Sequence, residues 1–160
     1  IAQALGSTLE IGDLLQRLYH YTSNVIPATQ FLVVQYDEAG DELQTLFAAA
    51  AEGENVPVAE DGLAPETIYQ IRELLHARQP RMFPSAPNEG NGQGQWLGAP
   101  MIAADKVIGA IVLHSAETLA AKNAEALNLL STIVAQAAAA LQNARLYGQI
   151  RELNSALEQP

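Results

Sequence analysis

The chain has 160 residues, 49% of them apolar, with 18 acidic against 8 basic side chains and a formal charge of −10. That length fits one domain, and that apolar content supports a packed core rather than a disordered chain. The acidic balance argues against nucleic acid, whose phosphates need Lys and Arg, and against an anionic membrane surface, while the absence of cysteine excludes disulfides, thiolate catalysis and Cys-ligated zinc. No apolar run approaches the ~20 residues that span a bilayer, and no signal peptide is evident. The expectation is a cytoplasmic domain without membrane or nucleic-acid contact.

In chain order, Ile1 to Gly6 reads as the end of a helix stopped by glycine. Ser7 and Glu10 then match a capping box, opening a helix with Leu14, Leu15, Leu18, Val25 and Ile26 apolar, ended by Pro27. Thr29 to Asp37 is β-branched and aromatic, and Leu43 to Ala50 returns after a short turn at residues 38–41, which predicts a hairpin. Glu52 to Ala64 is an acidic loop. Pro65 suits the first helical position, and Ile68, Ile71, Leu74 and Leu75 form a helical stripe stopped by Pro80. Arg81 to Phe83 reads as a short edge strand, followed from Pro84 to Gln95 by a loop long enough to act as a lid.

Trp96 to Ala103 and Val107 to His114 predict a second hairpin about Ala104 and Asp105. Neither arm alternates, so both faces should be covered and the hairpin should lie centrally in its sheet. From Ala121 to Gln159 a long helix carries two stripes. Leu127, Leu130, Val134, Ala137, Leu141 and Ala144 keep one phase; Leu146, Ile150, Leu153 and Leu157 keep another. One stripe can cover the sheet while the other continues as a coiled-coil seam, with Ala137 to Ala140 letting a second helix approach closely. A homodimer through the terminal helices is the consequence. Both ends read as cuts through helical linkers of a longer protein: residues 1–6 would close an upstream helix and 145–160 would open a downstream signalling helix around a single domain.

The order helix, hairpin, helix, short strand, hairpin, long helix resembles a GAF domain. Trp96-Leu-Gly-Ala-Pro100-Met-Ile and Val107-Ile-Gly109-Ala-Ile-Val-Leu are similar to that family's paired central strands. Leu129-Leu130 with Ala135 to Leu146 is similar to its C-terminal helix, and Asp13-Leu-Leu-Gln-Arg-Leu18 to its entry helix. The resemblance implies an α+β, GAF/profilin-like fold: a central antiparallel sheet of five or six strands, the N- and C-terminal helices on one face, and a helix and loop cover from residues 64–84 on the other. It also implies a non-catalytic sensory or regulatory domain, in a setting such as a bacterial two-component system. Such a domain binds a small molecule between sheet and cover, or serves as a ligand-free dimerisation module, and passes its signal to a kinase, cyclase or regulator in the same chain. Covalent bilin attachment, known in photoreceptor relatives, needs a cysteine and is excluded; no other cofactor is named. The cyclic-nucleotide signature of other relatives is not matched at Lys122 and Asn123.

The remaining chemistry is sparse. His20, His76 and His114 lie on different predicted elements, without helical metal-pair spacing. Gly90, Gly92 and Gly94 lead into a strand without a lysine, unlike a phosphate cradle. Glu52, Glu54, Glu60 and Asp61 do not follow a calcium-loop spacing and read as solvated. No nucleophile–base–acid grouping stands out, so catalysis is not expected. The candidate ligand-binding residues are Tyr36, Tyr69, Phe83, Trp96, Met101 and His114, expected as one wall on the sheet face away from the terminal helices. Most of these residues also suit a core, and Phe47 and Met101 read as core first. Trp96, following the glycine-rich loop directly, would close an apolar pocket.

Overall fold

Strands apolar on both sides need cover on both sides, and the chain supplies it from different parts of its length. The computed structural model describes residues 2–60, 62–87 and 94–158. Helix α1 spans Ala2–Val25; strands β1 (Gln30–Asp37) and β2 (Glu42–Ala50) form the first hairpin; helix α2 spans Pro65–Ala77. The short β3 (Arg81–Pro84), the hairpin β4 (Gln95–Ala103) and β5 (Lys106–Ser115), and helix α3 (Ala120–Glu158) complete it. The five strands form one antiparallel sheet in the order β2-β1-β5-β4-β3. The second hairpin is central and β3 is an edge, as the sequence predicts.

Two cores follow from the strand alternation. Phe31, Val33, Leu97, Met101, Ile111 and Leu113 meet Leu15 and Ile26, with Leu130, Val134, Ala137, Ala138 and Leu141 of α3, on the face covered by the terminal helices. Leu32, Val34, Trp96, Ala110 and Val112 meet Ile71, Leu74 and Leu75 of α2 on the other. In β5, Val107 and Ala110 share the α2 face although three positions separate them. A bulge resolves this: Met101 pairs with Gly109 but Ile102 with Val107, leaving Ile108 as the extra residue. Gly109 is required there, since a Cβ would lie 2.1 Å from the Val34 carbonyl oxygen.

The β4–β5 turn places Ala104 and Asp105 at φ 52° and 64°, the two-residue left-handed turn that matches strand twist. Arg78, itself at φ 58° just past α2, donates to the Asp105 carbonyl and clasps this strained turn. Helix α2 starts without a side-chain cap, relying on Pro65 at its first turn.

Two expectations change and a third is refined. Helix α1 runs unbroken through Gly6 and Ser7, so no helix stops at Gly6 and no new one is capped at Ser7. An interior glycine costs only ~1 kcal/mol, which a continuous helix absorbs. Helix α3 contains an 18-residue window of mean hydropathy 1.4 with at most two charges, so by length and composition alone it is apolar enough to cross a bilayer. The small residues Ala interrupt its large apolar side chains and hide this in a reading by runs; Leu130, Ile133, Val134 and Leu141 spend that apolarity on the core. Glu60 is exposed, as expected, but also tethered: its carboxylate accepts from the Thr45 N–H at 2.5 Å and the Thr45 hydroxyl at 2.6 Å. Both bonds hold its carboxyl below the usual range. They satisfy β2 beside its own bulge at Leu46, where pairing with β1 slips.

Candidate functional site

The six residues expected to form one wall do not share a surface. Tyr36, Phe83 and Trp96 are buried in the α2-side core. Met101 stands on the opposite face, among residues beneath the terminal helices, as does Phe47, which packs there as core. The β4 alternation decides this, since Trp96 and Met101 are five positions apart and must face opposite ways. Tyr69 is 61% exposed on the outer side of α2.

His114, at the end of β5, is buried and meets Trp96 edge-on at a centroid distance of 5.0 Å. Its Nδ1 lies 2.7 Å from the Thr29 hydroxyl and its Nε2 2.6 Å from the Ser85 hydroxyl. The Thr29 hydroxyl also donates to the His114 carbonyl at 3.3 Å, which leaves its oxygen to accept from Nδ1–H. The network joins the start of β1, the end of β5 and the base of the segment after β3. Gly94 passes so close that a Cβ would sit 2.3 Å from the Ser115 carbonyl oxygen and 3.0 Å from the His114 ring. Its φ of 84° is open to glycine in any case. Gly90 and Gly92, with the rest of the expected lid tip, lie outside the described residues.

Beside this network, on the side of the terminal helices, is a cleft of about 720 Å³. Ser23 of α1, the connection from Ile26 to Thr29, Ser115 to Thr118, and Lys122, Asn123 and Ala126 of α3 line it. Its deepest polar group is Asn123, 1% exposed. Asn123 donates to the Gln95 side chain at 2.7 Å and the Glu117 carbonyl at 2.8 Å, and accepts from the Ser115 hydroxyl at 3.1 Å. The Glu117 carboxylate accepts from the backbone N–H groups of Thr118 and Leu119, neutralising the amino end of α3. The cleft thus has a fixed polar wall, an apolar floor of Ile26, Pro27 and Ala126, and hydroxyls of Ser23, Thr29 and Thr118 around it. That is a surface for a small, polar molecule with an apolar part.

At the other end of the sheet, Asp41 gathers a cluster. The Tyr36 hydroxyl donates to it at 2.6 Å, Arg72 lies 3.2 Å away, and His76 3.1 Å. The hydrogen bond to Asp41 is the main reason the Tyr36 hydroxyl is pushed up to about 12. The same bond, with that from His76, lowers the Asp41 carboxyl. The cluster ties α2 to the first turn. Among the described residues, no group of three or more His, Asp or Glu is placed to hold a metal ion.

Sequence reasoning misses Thr29 and Ser85, since Thr29 and His114 are 85 positions apart and a Ser or Thr at a strand end carries no pattern of its own; Lys122 and Asn123 stand out in the sequence only as an unmatched cyclic-nucleotide signature.

The family model described as GAF domain matches residues 10–143. No curated protein sequence matches the chain. Among solved structures, the GAF domain/HD domain protein from Geobacter sulfurreducens is similar at 16% identity and a TM-score of 0.64, covering 88% of this chain and 97% of that one. The second GAF domain of DevS from Mycobacterium smegmatis is similar at 22% identity and a TM-score of 0.62, covering 88% and 99%. The blue-light absorbing form of the PixJ GAF-domain from Thermosynechococcus elongatus is similar at 14% identity and a TM-score of 0.61, covering 98% of each. With the sheet order, the two covered faces and the family match agreeing over most of its length, the chain belongs to the GAF domain family.

Proposed function

We propose that this is a non-catalytic sensory domain of a larger signal-transduction protein, in which a small molecule bound between α1 and α3 alters how the sheet holds those helices. The observation that carries this reading is the cleft at the α1–α3 junction. Its walls belong to both terminal helices, so any occupant contacts the two elements that would lead to neighbouring modules. Binding shifts their arrangement only to the extent that the occupant prefers one arrangement over another. The solved relatives include a methyl-accepting chemotaxis protein fragment as well as DevS and PixJ domains, a range consistent with a sensor whose ligand and output vary.

A thermal-shift screen of small polar metabolites tests it. One chemical class should raise the Tm, and Ala126→Trp, which fills the cleft floor, should abolish that rise. No stabilisation by any class would contradict ligand binding there.

A ligand-free dimerisation module is the second reading, favoured by one observation: Leu146, Ile150, Leu153 and Leu157 are 47–76% exposed along α3. In this reading the partner is a second copy, the signal is the relative position of paired helices, and the domain acts in the cytoplasm.

A further inference from the structure

In a chain with 8 basic side chains and a charge of −10, nearly every cation should find a carboxylate. Arg17, Arg72, Arg78, Lys122 and Arg151 do, with Asp13, Asp41, Glu38, Glu117 and Glu10. Arg81, exposed at the start of β3, forms no such pair among the described residues, and neither do Arg145 and Lys106. Both line a single hollow of about 320 Å³ between α3 and the two hairpin turns.

Arg145 is half-buried, and burial lowers its guanidinium pKa with no carboxylate acting against that. Gln142 and Gln149, three positions before and four after, bring amide groups to the same hollow from the same face of α3. Two acids line the same hollow, each holding one backbone N–H and keeping its charge. Glu38 accepts from the Val107 N–H at 3.1 Å and faces Arg78 at 3.9 Å; Asp37 accepts from the Ala39 N–H at 3.1 Å. Both carboxylates line the hollow with Arg145, yet neither comes within ion-pair distance of it, so the half-buried guanidinium keeps its planar fork open to carboxylate or phosphate oxygens.

We propose that this hollow binds a small organic anion bearing a phosphate or carboxylate group, held by Arg145 with Lys106 as the second cation and the Gln142 and Gln149 amides as further donors. The site lies at the Tyr36–Asp37 end of β1, away from the cleft at the Thr29 end. It lies beyond Leu141, where α3 leaves its buried path, so an anion there ties α3 to the β4–β5 turn. That consequence for signalling rests on the sensory reading; the binding itself does not.

The test is an amide NMR titration of the full 160-residue chain with inorganic phosphate and, separately, with succinate, at ionic strength held constant with sodium chloride. Saturable shifts should appear at Lys106, Val107 and residues 142–149. Arg145→Gln should weaken them at least ~10-fold, as loss of a charge-assisted pair does, with Arg145→Lys less affected. An unchanged spectrum elsewhere shows that each variant is folded. Saturation by phosphate alone assigns a phosphorylated ligand, by succinate alone a carboxylate, and by both a site that reads charge only; each supports the site. Shifts that never saturate, or that Arg145→Gln leaves intact, overturn it, while the metabolite screen at the cleft keeps its own outcome.

Discussion

The Tyr36 ring belongs to the α2-side core while its hydroxyl reaches the surface carboxylate of Asp41. That single bond makes stability depend on pH at both extremes. Raising the tyrosine pKa from 10.0 to about 12 means that the folded state holds the proton more tightly. Stability from this source is present below the unfolded value and falls as pH rises from about 10 towards 12. The lowered Asp41 pKa has the opposite sign. Its contribution is present above the unfolded value and is lost as pH falls through the folded one. Tyr36→Phe should flatten the alkaline decline in urea-melt stability and weaken the acid one. In wild type, one of the five tyrosines should titrate near 12 by ultraviolet absorbance. Five tyrosines titrating together near 10 would contradict the bond. The burial of Leu74 was legible from its helical stripe, whereas Trp96 and Phe83, expected at a pocket wall, lie in the core. The partners of His114 were not legible, because Thr29 and Ser85 become sites only once distant strand ends meet; Asp41 is five positions from Tyr36 and needs only the first turn to close.

Between residues and the whole fold, strands and helices were the most legible part, and for physical reasons. Hairpin turns at Gly40 and at Ala104-Asp105 are local chemistry, and the failure of β5 to alternate signalled cover on both faces. What alternation could not show was the bulge at Ile108, because a run apolar throughout hides a change of face. Gly109→Ala tests it: the added methyl meets the Val34 backbone rather than a side chain that can turn away. The cost should lie at or above the top of the ~1–3 kcal/mol seen for overpacking, read from urea unfolding. Gly98→Ala should cost less, because its nearest obstacle, at 2.7 Å, is the tip of the Leu74 side chain. The change of phase along α3 was equally legible. The stripe from Leu127 to Leu141 lies on or against the core, and the stripe from Leu146 to Leu157 is exposed. Ala137 and Ala138 are buried in the core beneath the terminal helices, not presented to a second copy.

For the whole molecule, two covers on one sheet leave the terminal helices as the parts able to report on its state. Helix α1 meets α3 along the sheet, and the Arg151–Glu10 pair at 3.0 Å links them beyond it. An exposed pair of this kind contributes little stability, so the core that both helices share with the sheet holds them. If the exposed stripe is the seam, Ile150→Glu with Leu153→Glu should give a monomer by sedimentation while leaving the Tm of the domain nearly unchanged, because neither residue belongs to the core. The absence of cysteine makes the most direct measurement clean. A spin label at Ser155→Cys, read by pulsed dipolar spectroscopy, should give a narrow distance between copies, in keeping with helices ~10 Å apart. Filling the cleft with Ala126→Trp should shift that distance in a chain that remains folded. No distance between copies, or one that a filled cleft leaves unchanged, would contradict a relay from cleft to helix.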